Sequence, residues 1–134
     1  MFKTVLFPID ASPEAQQAAF KTAELVKHHH SHLVLLSVVE PPNGPSVHPE
    51  QTSPEAVAQL LEKAKTVFTN QGIDTEAIER EGNPAFVICD VADELSADLI
   101  VMGCRGIGLT PEGQSDSVSS RVINLAPCPV MVVP

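Results

Sequence analysis

Short continuous apolar runs alternate along this chain with longer stretches whose apolar residues recur every three or four positions. That pattern predicts strands and helices in regular alternation. Residues 3–9 (KTVLFPI) form the first apolar run and end at Asp10. Ser12-Pro13-Glu14 then supplies an N-cap residue, a proline suited to the first helical position and a first-turn acid. Ala15, Ala19, Thr22 or Ala23, and Val26 follow at helical spacing, up to the histidines at 28–30. Residues 33–39 (LVLLSVV) are apolar almost without a break, the pattern of a strand covered on both faces.

Residues 40–52 hold Pro41, Pro42 and Pro45 around Asn43-Gly44 and read as a long loop. Ser53-Pro54-Glu55-Ala56 repeats the earlier helix start, Val57, Leu60, Leu61, Ala64 and Phe68 make the apolar stripe, and Gly72 ends the helix. Residues 73–81 alternate weakly, with Ile78 out of phase, and predict an edge strand. Asn83 and Pro84 start a third helix whose stripe is Ile88, Val91, Ala92 and Leu95. An apolar strand over residues 98–102 comes next, then a Gly- and Ser-containing loop, and then a fourth helix with Val118, Val122 and Leu125 on one face. Pro127 stops that helix, and residues 129–133 (PVMVV) form the last strand. This β-α-β-α-β-α-β-α-β order predicts a single α/β domain over residues 1–134, with a doubly wound five-stranded parallel sheet and helices on both faces.

Composition narrows the function classes. A hydrophobic content of 43% with 19% charged residues is that of a folded domain. The formal net charge of −9 argues against a nucleic-acid partner, which needs a basic field, but leaves room for one small anion held by local N–H groups. No apolar run is long enough to span a bilayer, so no membrane role is expected. No signal-peptide pattern opens the chain, so a cytoplasmic location is expected. Cys89, Cys104 and Cys128 lack C-x-x-C spacing and read as reduced thiols. His28, His29, His30 and His32 are clustered, but neighbours on a helix point about 100° apart. They suit the negative end of a helix dipole better than a shared metal ion.

Residues 98–119 carry the strongest site signal. A buried strand gives way at Gly103-Cys104-Arg105-Gly106 to a loop that leads into a helix starting near Ser117. Strand, small-residue loop and helix N-terminus together let unpartnered N–H groups converge on an anion. In a doubly wound sheet, ligands lie at the carboxyl ends of the strands, and those ends carry Asp10, Val39-Glu40 and Gly103.

Four segments in order make the chain resemble the universal stress protein family over essentially its full length. They are KTVLFPID at 3–10, Gly82-x-Pro84, DLIVMG-x-RG at 98–106, and APCPV-x-VV at 126–133. The resemblance implies a sheet of order 3-2-1-4-5 and a homodimer paired through the last strand, Val130–Val133. It also corrects a reading made from the residues alone, because Pro8 would demote the first strand to an edge, whereas in the family that strand is central.

Members of the family that bind ATP share the pattern G-x-x-G-x9-G-[S/T]. Here Gly103, Gly106 and Ser117 match it, and Asp116 stands where the last glycine is expected. By resemblance, Asp10 sits at the adenine and ribose end, with backbone around Val39 reading the base edge. Met102, Gly103, Arg105, Gly106, Ser117, Val118 and Ser119 form the phosphate side. The same residues also have ordinary roles at a strand end and a helix start. The implied ligand is AMP, ADP or ATP, with magnesium only alongside ATP. Asp116 places a carboxylate where a terminal phosphate would accept hydrogen bonds, which leaves three readings open: a preference for AMP or ADP, a loss of nucleotide binding, or a nucleotide-independent dimeric interaction module. No Walker A sequence, no H-x-G-H and no nucleophile–base arrangement marks an enzyme.

Overall fold

The computed structural model describes residues 2–9, 13–39, 54–103 and 118–133, and the backbone alone at 13–16, 54, 56, 57 and 119. Strands β1 (Thr4–Pro8), β2 (His32–Val39), β3 (Asp74–Glu81), β4 (Leu99–Gly103) and β5 (Val130–Val133) alternate with helices α1 (Pro13–His29), α2 (Pro54–Asn70), α3 (Pro84–Leu95) and α4 (Val118–Leu125). All the strand pairs are parallel, in the order β3-β2-β1-β4-β5. Five parallel strands joined by helical crossovers give the doubly wound sheet that the alternation predicts.

The continuous apolar runs exist because both sheet faces are covered. Val5, Phe7, Leu33, Leu35, Leu99 and Val101 pack with Ala18, Ala23 and Val26 of α1 and with Leu61 and Phe68 of α2. Their neighbours Leu6, Val34, Leu36, Ile100 and Met102 point the other way, onto Ala85, Ile88, Val91 and Ala92 of α3 and Val122 of α4. Each of the Val, Leu, Ile, Met and Phe side chains contributes roughly 1.5–3 kcal/mol by leaving water. The Phe7 and Phe68 rings meet edge to face, with centroids 6.2 Å apart. Thr22 sits in this core at no polar cost, since its Oγ1 donates to the Ala18 carbonyl at 2.7 Å.

Local signals place the helix ends. Asn83 caps α3, its side-chain oxygen accepting from Phe86 N–H, and Pro84 follows at the first turn. Gly72, with φ of 80°, closes α2, and Ile73 N–H reaches back to the Phe68 carbonyl at 3.2 Å. The expected serine caps at 12 and 53 lie outside the described residues. One stripe differs from expectation. Leu125 is 49% exposed, and the apolar face of α4 runs from Val118 through Val122 to Ala126. A spacing of four keeps one helix face pointing at the sheet, and a step of three at this helix end turns Leu125 outward.

Candidate functional site

The strand order reverses between β1 and β4. β1 pairs with β2 as far as Pro8↔Leu36, and β4 with β5 as far as Gly103↔Val133. Between β1 and β4 the register holds only Val5↔Leu99 and Leu6↔Ile100. Past Leu6 the next bond of that ladder would need an N–H on Pro8, which has none, and the order β2-β1-β4 puts the reversal of strand order at the carboxyl ends of β1 and β4. That is the topological switch point of the fold.

Pro8 is where the β1–β4 ladder ends. Ile9 N–H donates to the Leu36 carbonyl at 2.8 Å, toward β2. Backbone groups alternate sides along a parallel strand, so the nitrogen of Pro8 faces β4, where no ladder bond is made at that level. A proline at this position of a central strand leaves no orphan N–H where the ladder ends.

The same alternation decides which backbone groups of β2 face the site. The sequence points to the backbone around Val39. The Val39 carbonyl accepts the Gly82 N–H at 2.9 Å, so its groups face β3. Those of Val38 face β1, beyond the last β1–β2 pair. An apolar run carries no signal that separates the two valines; strand register does.

Met102 is 6% exposed with its side chain in the α3/α4 core, so backbone is what it can offer a ligand. Gly103 ends β4 and is partly exposed. Val118 opens α4 half-buried against the same core, and Ser119 follows in its first turn. Because α4 links parallel neighbours, its N-terminus lies at the carboxyl end of the sheet, where its first N–H groups and dipole favour an anion. Asp10, Cys104, Arg105, Gly106, Asp116 and Ser117 lie outside the described residues.

The remaining polar clusters occupy the amino end of the sheet or its helical flank. His32 Nδ1 lies 2.8 Å from Asp74 Oδ2, and Nε2 lies 3.2 Å from Glu76 Oε2. Partial burial opposes charge on His32, but the hydrogen bonds and charges of Asp74 and Glu76 outweigh it and raise the imidazole above its ordinary 6.5. The His29 ring meets Phe2 and His28 edge-on, at 5.2 and 5.0 Å. Among the described residues no group of three or more His, Cys, Asp or Glu is arranged to hold a metal ion. Burial pushes the Cys89 and Cys128 thiols up, with Asp90 adding to the first and Cys89 and Asp98 to the second, so neither is primed as a thiolate. A depression of about 340 Å³ between the end of α1 and the start of β3, floored by Val26 and Ile73, lies at the end away from the switch point. No described helix is long and apolar enough to cross a membrane.

A parallel sheet of this order, with a glycine strand end and a helix N-terminus at its switch point, defines a doubly wound α/β domain, a fold in which ligands lie at that point. The model of the Universal stress protein family matches residues 1–134. Universal stress protein Sll1654 of Synechocystis sp. is 63% identical over 136 residues, covering 100% of this chain and 87% of that protein. The chain belongs to the universal stress protein family. Among solved structures, a universal stress protein in complex with cAMP superposes with a TM-score of 0.83 at 22% identity, covering 99% of this chain and 97% of that one, a likeness of fold. An Arabidopsis thaliana universal stress protein family protein with AMP bound gives a TM-score of 0.76 at 26% identity, covering 98% of this chain and 90% of that one.

Proposed function

We propose that this universal stress protein is a small cytoplasmic regulator that binds an adenine nucleotide across the carboxyl ends of β1, β2 and β4, with AMP or ADP preferred to ATP. The observation that carries the reading is the strand order, which reverses between β1 and β4. It puts the glycine end of β4 and the start of α4 at the carboxyl end of the sheet, where folds of this kind take ligands. In this reading Asp10 holds the ribose and the Val38 backbone, next to Val39, meets the base edge. Backbone at Met102 and Gly103, with Arg105 and Gly106, takes the first phosphate, and Ser117, Val118 and Ser119 present the N–H groups of α4. The AMP bound by the Arabidopsis relative supports an adenine nucleotide in a fold of this kind.

The preference rests on Asp116, which stands where ATP-binding relatives have glycine. Two negative groups at ~4 Å repel by about 1 kcal/mol in water and about 4 kcal/mol at an effective dielectric of 20. A factor of ten in affinity is about 1.4 kcal/mol, so one carboxylate is enough to remove useful ATP binding while leaving a monophosphate largely untouched. ATP would bring magnesium to the same place; AMP needs none. Titration calorimetry with AMP, ADP and ATP tests this. Asp116→Gly should raise ATP affinity about tenfold or more and change AMP affinity little. ATP as the tightest ligand of the wild type, with no gain in the variant, would refute the preference. The second reading, a nucleotide-independent interaction module, is also favoured by Asp116, as a permanent cap on α4. A protein that is purified empty and gains no thermal stability from millimolar AMP would establish it, because a ligand of the folded state must stabilise it.

The edges of the sheet support a homodimer through β5. β3 carries Asp74, Glu76, Glu79, Arg80 and Glu81 along its exposed edge, a charge pattern that repels another strand. β5 is Val130-Met131-Val132-Val133 without a charge, its Met131 is 38% exposed, and Ile123 and Leu125 of α4 are 55% and 49% exposed. A second copy laid against this edge would cover that apolar surface.

A further inference from the structure

Gly82 stands where β2, β3 and α3 meet. It follows the last residue of β3, its N–H donates to the Val39 carbonyl at 2.9 Å, and Asn83 after it caps α3. Its φ is 143°, a conformation essentially confined to glycine. A Cβ at this position would stand 2.9 Å from Val87 Cγ2. Val87 is β-branched and helical, so its side chain has one strongly preferred rotamer and little freedom to move aside. Both restraints say that only glycine keeps this N–H aimed at Val39 while α3 starts where it does.

We propose that Gly82 is a positioning residue for base recognition in the nucleotide cleft. Its N–H holds the Val39 carbonyl toward β3, and the alternation of the strand then turns the N–H and carbonyl of Val38 toward β1, into the cleft. A fixed carbonyl accepts from the amino group of a 6-aminopurine, and a fixed N–H donates to its ring N1. A 6-oxopurine presents an acceptor and an N1–H in the reverse order and leaves both groups of Val38 unmatched. This inference rests on the adenine-nucleotide reading above and assigns a residue, outside the glycine-rich loop, that sets the choice of base.

The test compares AMP, IMP and ribose 5-phosphate by calorimetry on the wild type and on Gly82→Ala. The preference for AMP over IMP should fall about tenfold in the variant, the worth of one hydrogen bond, while ribose 5-phosphate binds as before. A general loosening of the fold would weaken all three ligands together. Should Gly82→Ala fold poorly, Gly82→Ala/Val87→Ala removes the clash but not the backbone demand, and it should regain melting temperature without regaining the preference. Val87→Ala alone should keep it. On the unaltered protein, the Gly82 amide proton should shift in the NMR spectrum with AMP and stay in place with ribose 5-phosphate. A folded variant with undiminished preference, or an amide that ignores AMP in a wild type that binds it, overturns the role of Gly82 alone. A wild type that binds neither AMP nor IMP overturns the nucleotide reading and this inference with it.

Discussion

Asp98 laces the amino ends of β1 and β4 together, and its removal has a calculable effect. Its Oδ2 accepts the N–H groups of Lys3 at 2.9 Å and Thr4 at 3.0 Å, while its own N–H donates to the Thr4 carbonyl at 2.8 Å. Asp98→Ala keeps the backbone bond and loses both side-chain bonds. The Lys3 N–H is exposed and returns to water at little cost; the Thr4 N–H is half-buried and bears part of its desolvation penalty. Bonds to a carboxylate are worth roughly 1.5–3 kcal/mol each when buried, so with one exposed we expect about 2 kcal/mol in total. Unfolding entropy near 2.1 cal/mol/K per residue converts that into a fall of about 7 °C in Tm for a chain of this size. Asp98→Asn retains an oxygen acceptor and should lose about half as much. Thermal and urea unfolding at fixed protein concentration would measure both. A shift below ~2 °C for Asp98→Ala would show that water replaces the carboxylate freely, and the bonding argument would fail.

The His32 clamp predicts a pH dependence with a definite sign. Its folded-state pKa lies above the ordinary 6.5, so its contribution is fully present below that value and is lost as pH rises through the raised one. Since His32 is 37% exposed and Asp74 81%, the amount should stay below about 1 kcal/mol, and His32→Gln should remove that part of the stability–pH profile. A profile unchanged by His32→Gln would refute the clamp. At the β5 edge, Ile100 N–H donates to the Pro129 carbonyl, so the backbone groups of Met131 face β4 and those of Val132 face outward. Val132→Pro should therefore convert the proposed dimer to monomer in ultracentrifugation with the sheet intact, whereas Met131→Pro would break the β4–β5 ladder as well. An unchanged dimer in Val132→Pro would exclude pairing through this edge.

The sequence by itself determined the element types and their order, because each signal is local. Apolar runs bounded by Asp10, Gly72-like stops and Asn83-Pro84 starts need only neighbouring residues to be read. It also determined the family, through four short segments, and located the candidate phosphate side at Gly103 and the start of α4. What it left undecided depends on which strands lie side by side. The residues alone would put β1 at an edge because of Pro8, the family resemblance put it in the centre, and the structure shows that the proline nitrogen faces β4 where the ladder ends. That Val38 rather than Val39 turns its backbone to the cleft follows from register, since two adjacent valines in a buried run look alike until one carbonyl is found bonded to Gly82. Leu125 turns outward because the sheet-facing stripe of α4 runs in steps of four from Val118 through Val122 to Ala126, and a step of three leaves that face. Tertiary structure decided these points because hydrogen-bond direction and strand neighbours are set by contacts between residues far apart in the chain. No local pattern of hydrophobicity encodes them.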